Sequence, residues 1–212
     1  AGATGLIGRE LVKQCNNQGI SVNYFTTRKT KIEDSSIYKG FYWNPQENKI
    51  DVACFEGVEV ILNLAGSSIA QRWSNAAKAS ILSSRTDALA LLYSSIESHN
   101  FPVKHIISAS AIGIYPDSKT RYYDEKFQGT DSSFLRTVVK SWEGCLKPFH
   151  SLGVKTTALR IGIVLDTHQG ALPKIMGPIK QYFGAALGSG DQWQSWIHID
   201  DLCNMYVEAI EN

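Results

Sequence analysis

Short apolar runs of strand length take turns along this chain with stretches whose apolar residues recur at helical spacing. "VEVILNLAG" (58–66) is nearly continuous in Val58, Val60, Ile61, Leu62 and Leu64, and "VKHIISAS" (103–110) and "VKTTALRIGIVL" (154–165) are of the same kind. "ISVNYFTT" (20–27) is rich in β-branched and aromatic residues. Near-continuous apolar strands are covered on both faces. Between them, Ile7, Leu11, Val12 and Cys15 mark a helix that Gly19 closes, and 74–98 carries Ala77, Ile81, Ala88, Leu92 and Ile96 on one side. A helix over 132–149 stops near Gly153, another begins at Pro173, "SWIHI" is a short strand, and Asp200 and Asp201 cap a last helix running to Ile210. This alternation specifies the α/β class with a doubly wound parallel sheet.

The chain opens on Gly2-Ala3-Thr4-Gly5-Leu6-Ile7-Gly8, three glycines in GxxGxxG spacing directly before an amphipathic helix. A helix N-terminus holds phosphate through its unpaired N–H groups and positive partial charge. Gly2 permits the tight turn, Gly5 lets backbone approach a pyrophosphate, and Gly8 permits close packing of the helix. With a second strand following, the spacing predicts a Rossmann-type dinucleotide site made by Gly2, Thr4, Gly5, Leu6, Ile7 and Gly8. In such folds a central strand precedes the loop, so about 5–6 apolar residues are expected ahead of Ala1. The whole of 1–212 therefore reads as one dinucleotide-binding domain, expected to continue beyond both ends.

Where an acid would accept from the ribose hydroxyls, this chain has Thr27 and Arg28, followed by Lys29 and Lys31. Arginine favours a 2′-phosphate through charge-assisted hydrogen bonds, which points to NADP(H) over NAD(H). A formal net charge of +1 argues against nucleic acid or a membrane surface as the partner. Cys15, Cys54, Cys145 and Cys203 form no CxxC and no zinc spacing, so they read as reduced thiols in a cytoplasmic protein, and no metal is expected.

"GATGLIG", "NLAG", "SASAIGIY", "LRIGIVL" and "SWIHIDDL" occur in an order that resembles the extended short-chain dehydrogenases, the NAD(P)-dependent epimerase/dehydratase superfamily. "NLAGSSIAQRW", "SSRT", "FLRTVVKSWEG" and "LGSGDQWQSWIHIDDL" are similar, more narrowly, to its atypical YfcH-like epimerase family proteins. The resemblance implies an NADP(H)-binding Rossmann domain and a small C-terminal substrate domain, largely missing from this chain. It also implies cofactor contacts from Leu64, Ala65 and Gly66.

The superfamily acts on a substrate hydroxyl through a Tyr-x-x-x-Lys pair on a helix. The matching helix here holds no tyrosine: Arg136 stands four residues before Lys140, and Leu135 four before Val139. That leaves Ser110, Tyr115 and Lys140 as candidate catalytic residues. Ser110 best matches the superfamily serine, but a small residue packing under the cofactor has the same appearance. Tyr115 is either a surrogate acid or a packing residue, and Lys140 reaches the ribose or is an exposed helix lysine. Arg72, Trp73 and Lys78, with Arg85 beyond them, would line an anionic substrate pocket, or form a helix face with one aromatic anchor. Trp193 and Trp196 either stack on a planar substrate or are core residues. Glu143 is expected to tie its helix to backbone, and Arg160, in an apolar strand, to pair with an acid or reach the cleft.

The expected function is an NADP(H)-dependent oxidoreductase or nucleotide-sugar epimerase-like enzyme. The alternatives are a non-catalytic NADP(H) sensor and an interaction protein. The expected partners are a small-molecule substrate, anionic where Arg72 and Lys78 line its pocket, and a second copy of the chain in a homodimer.

Overall fold

The computed structural model describes residues 1–127, 129, 132–186 and 188–211. α1 (Leu6–Asn17) buries Gly8, Leu11 and Cys15, and ends where the Gly19 N–H donates to the Asn16 carbonyl at 3.0 Å. β1 (Val22–Thr26) follows, then β2 (Tyr38–Asn44) and β3 (Lys49–Ile50). β4 (Val60–Asn63) leads to α2 (Asn75–His99), whose first turn is capped by the Ser74 hydroxyl accepting from the Ala77 N–H. β5 (His105–Ala111) and α3 (Phe134–Gly144) come next, with Ser133 as the cap of α3. β6 (Lys155–Ile161), β7 (Ile163–Leu165), α4 (Ala171–Lys180), β8 (Trp196–His198) and α5 (Ile199–Glu211) complete the chain.

β1 pairs with β2, β4 with β5, β5 with β6, and β7 with β8, all parallel; β2 and β3 are antiparallel. Successive strand residues face opposite ways. Ile106 of β5 packs in a core cluster with Leu89 and Leu92 of α2 and Trp142 of α3. Its neighbour Ile107 packs with Leu11 of α1 and Leu202 and Tyr206 of α5. Helices thus cover both faces, as the apolar strand runs require. Each fully buried side chain such as Ile106, Leu89 or Leu92 contributes about 1.5–3 kcal/mol.

β2 and β3 have no counterpart in the sequence reading. Gly40 stands within β2 opposite Tyr24, and a Cβ there would stand 2.6 Å from the Tyr24 hydroxyl. The run 154–165 is two strands, since a Cβ on Gly162 would lie 2.5 Å from the Ser195 carbonyl oxygen, and the chain past this crossing pairs with β8. The helix expected over 132–149 ends at Gly144, and a separate 3₁₀ helix spans Lys147–Leu152.

Ala1 lies beside β4. Its nitrogen donates to the Leu62 carbonyl at 2.6 Å, and its own carbonyl accepts from the Leu64 N–H at 2.9 Å. β1 and β4 do not pair with each other; both line one apolar cavity of about 460 Å³ that Leu11 and Phe55 also wall. No helix among the described residues is long and apolar enough to cross a membrane.

Candidate active site at the C-terminal edge of the sheet

The glycine loop sits at the end of β4. Gly2 has φ +87°, and a Cβ on it would meet the Leu64 carbonyl carbon and oxygen at 2.9 Å. The Gly5 N–H closes the turn on the Gly2 carbonyl at 3.0 Å. A Cβ on Gly8 would stand 2.2 Å from that same oxygen and 2.7 Å from the Ala3 Cα. Gly8 is therefore demanded by the loop's own backbone, before any packing on the sheet. Gly5 is exposed at the N-cap of α1, no side chain caps the helix, and no acid lies in its first turn. A helix opening on uncapped N–H groups behind an exposed glycine is a cradle for a phosphate, and the pyrophosphate of a nicotinamide dinucleotide fits it. Thr4, Leu6 and Ile7 all lie in this turn, and the Thr4 carbonyl accepts from Arg9 Nε at 3.0 Å.

The basic turn after β1 is held from below. The Tyr24 hydroxyl donates to the Lys31 carbonyl at 2.6 Å and accepts from the Glu33 N–H at 2.9 Å. Thr26, buried, accepts from the Arg28 N–H at 3.2 Å. Thr27 and Arg28 are exposed above this anchor, and among the described residues Arg28 makes no ion pair.

The "NLAG" turn is fixed by Asn63, which is fully buried. Its amide donates to the Ser108 hydroxyl at 3.2 Å, and its oxygen accepts from the Ala65 N–H at 3.3 Å. Leu64 and Ala65 are half-buried there, Gly66 is exposed, and the Ser67 N–H donates to the Ser84 hydroxyl on α2 at 2.9 Å.

At the ends of β5 and β6 the structure joins four polar side chains. Ser110 donates to Glu143 Oε1 at 2.6 Å. Arg160, paired with Ser110 in the sheet register, forks onto the same carboxylate at 2.8 and 2.9 Å. Its remaining nitrogen donates to the Tyr115 hydroxyl at 3.0 Å. Burial alone would raise the Glu143 pKa; the Arg160 hydrogen bonds, the Ser110 hydrogen bond and the Arg160 charge outweigh it and hold the carboxyl below its ordinary value. The Glu143 hydrogen bonds hold the Arg160 pKa above its ordinary value. Glu143 thus ties its helix to side chains rather than to backbone. Arg160 meets both alternatives set for it, since it pairs with an acid and also lines a cavity of about 470 Å³ together with Ile112, Glu125, Glu143 and Trp196. That volume suits a small molecule.

The other candidates are dispersed. Lys140 is exposed on α3. Arg136, one turn before it, is buried and donates to the carbonyls of Ile114 and Gly129. Arg72 is exposed; Trp73 donates to the Ile69 carbonyl at 3.0 Å and meets Phe134 edge-on. Lys78 stands over the Phe134 ring at 5.3 Å. Trp193 and Trp196 are 67% and 64% exposed, so neither is a core residue. Trp193 docks on the 119–122 loop, donating to the Lys119 carbonyl at 3.1 Å. Among the described residues no group of His, Cys, Asp and Glu is placed to hold a metal ion.

The model of the NAD dependent epimerase/dehydratase family matches residues 1–212. The chain belongs to this family. It is 32% identical over 212 residues to an epimerase family protein of Staphylococcus aureus, covering all of this chain and 69% of the relative. A Staphylococcus saprophyticus epimerase family protein is 33% identical over 210 residues, with 99% and 69% covered. Among solved structures, the human epimerase family protein SDR39U1 (isoform 2) with NADPH superposes with a TM-score of 0.78 at 26% identity, covering 99% of this chain and 68% of that one. A nucleoside-diphosphate sugar epimerase from Corynebacterium glutamicum gives 0.82 at 28% identity, covering 99% and 42%. The fold is the Rossmann fold of these epimerases.

Against that family background the Ser110–Glu143–Arg160–Tyr115 chain is the feature sequence reasoning left unconnected. Its members are 33, 17 and 45 residues apart along the links that join them. One signal was available: an arginine in a mostly apolar strand needs a partner when drawn inward, and Glu143 on α3 is an acid that can supply it.

Proposed function

We propose that this protein is an NADP(H)-linked oxidoreductase of the epimerase type, acting on a small molecule held at the ends of β5 and β6. The observation that carries the reading is the four-residue polar chain on the sheet edge that also holds the glycine loop. The loop and the first turn of α1 take the pyrophosphate, with Leu64, Ala65 and Gly66 beside it. Arg28, exposed and without an acidic neighbour in its turn, takes the 2′-phosphate; that the human relative was solved with NADPH supports this choice.

The nicotinamide supplies hydride exchange at a substrate carbon. The chain's own groups handle the proton. Arg160 directs a donor at the Tyr115 oxygen, so the phenol accepts there and its own O–H is left to donate outward. Ser110 is oriented by the ionised Glu143, and its oxygen keeps acceptor capacity for a substrate hydroxyl. Arg160, bound to the Tyr115 hydroxyl and to the Glu143 carboxylate that holds Ser110, fixes the separation of the two hydroxyls. Proton transfer thus needs no tyrosine on α3.

A second reading, a cofactor-binding sensor, is favoured by one observation: the α3 position four residues before Lys140 is a buried structural arginine. Turnover separates the two. With full-length protein and a panel of ketone and aldehyde substrates, NADPH oxidation is expected. Tyr115→Phe is expected to lower it about 10²–10⁴-fold with NADPH affinity unchanged. Wild-type turnover in Tyr115→Phe refutes the assigned role. Tight NADPH binding with no turnover across the panel leaves the sensor reading standing.

A further inference from the structure

Arg85 lies ten residues into α2, and its guanidinium fills the space where a Gly66 side chain would be: a Cβ there would stand 3.0 Å from Cζ, 3.2 Å from Nη2 and 3.3 Å from Nη1. Gly66 itself is exposed, so the guanidinium lies directly against the open turn at the end of β4. Its Cζ also stands over the Trp142 ring, 5.0 Å from the centroid. Its hydrogen-bonding partner among the described residues is the Ile81 carbonyl of its own helix, at 2.8 Å. No carboxylate among the described residues forms an ion pair with it. Burial lowers its pKa, and no neighbouring charge offsets the effect.

A half-buried cation without a counter-ion carries a desolvation cost that pairing would offset. Arg160, likewise half-buried, has a carboxylate and the buried Arg136 has two carbonyls, whereas Arg85 has one carbonyl of its own helix. Seven residues earlier on the same face of α2, Lys78 repeats the arrangement, with its ammonium over Phe134 of α3 and no acidic partner among the described residues. Two cations of α2 are therefore each held by an aromatic ring of α3, which orients them without neutralising them. Five N–H donors in a planar fork, one spent on Ile81, leave a pair suited to a bidentate anion.

We propose that Arg85 is the anion-recognition residue of the cleft and takes a phosphate or carboxylate group of the substrate at the Gly66 turn, with Lys78 as the outlying second cation. This rests on the reading of the edge as a cofactor and substrate cleft. The same chemistry would also suit a phosphate of the cofactor, so the test separates the two sources.

Full-length wild type, Arg85→Gln and Arg85→Lys are titrated calorimetrically, first with NADPH and then, at saturating NADPH, with inorganic phosphate as the probe. Losing a charge-assisted bidentate contact is expected to weaken phosphate about ten- to a hundredfold in Arg85→Gln. NADPH affinity is expected to change by less than about threefold. Arg85→Lys, which keeps the charge but not the fork, should fall between wild type and Arg85→Gln, and it carries the test if Arg85→Gln does not fold. Equal phosphate affinity in all three proteins, or no phosphate binding by wild type, overturns the proposal. So does a loss confined to NADPH with phosphate binding seen only in cofactor-free protein, because Arg85 then serves the cofactor. If wild type binds no NADPH, the functional reading fails, and phosphate titration of the cofactor-free protein still decides the role of Arg85.

Discussion

Replacing Glu143 by glutamine probes the polar chain at its centre. Glutamine keeps the shape and one acceptor oxygen, so it retains the Ser110 hydrogen bond and part of the Arg160 contact. It removes the charge that Arg160 grips at 2.8 and 2.9 Å. Breaking a fully buried pair from one side costs about 3–5 kcal/mol. Here both side chains are 21% exposed, so water recovers part of that, and about 2 kcal/mol is expected at pH 7. With a urea m-value of about 2 kcal/mol/M, the unfolding midpoint should fall by about 1 M. The pH dependence is the sharper reading. The folded pKa of Glu143 lies below its ordinary value of 4.5, so the stability it contributes is complete above that value. That contribution is lost as the pH falls through the lower folded value. The difference between wild type and Glu143→Gln should therefore be constant from about pH 7 to pH 5.5 and shrink below about 4.5. A difference that is the same at pH 7 and pH 4, or no difference at all, would refute a charge-based role for the pair.

Arg28→Ala should weaken NADPH by about 1.5–3 kcal/mol, roughly ten- to a hundredfold, and leave NADH nearly unchanged; equal losses for both cofactors would place its effect on the shared part of the ligand or on the fold. Gly8→Ala drives a Cβ to 2.2 Å from the Gly2 carbonyl oxygen, with backbone on both sides of the clash. It should cost about 1–3 kcal/mol in urea unfolding and reduce NADPH affinity at least tenfold, and wild-type values for both would show the loop to be slacker than described.

The sheet and helices were legible because burial on both faces imprints itself on composition. Val58 to Leu64 and His105 to Ser110 carry that imprint plainly. β2 was not legible: it holds Gly40 within it, and the reason for that glycine is Tyr24 across the register. The split at Gly162 was invisible for a similar reason, since the group that forbids a side chain there is the Ser195 carbonyl, distant in sequence. The glycine loop could be read in the sequence because its constraints are local: Gly2, Gly5 and Gly8 constrain one another within a single turn. The polar chain could not be assembled, because Ser110, Tyr115, Glu143 and Arg160 come from separate elements whose spacing is set by sheet register and by the docking of α3. Arg85 was visible as a basic residue near "NLAG", but its lack of a partner is a property of three dimensions alone.

The glycine loop, the first turn of α1 and the Arg28 turn are proposed to bind NADP(H) together. Isothermal titration of full-length protein with NADPH and with NADH tests this most directly. NADPH is expected to bind with a dissociation constant on the order of micromolar and NADH about ten- to a hundredfold more weakly. NADH bound as tightly as NADPH would contradict the role given to Arg28, and no binding of either cofactor at millimolar concentration would contradict the site itself.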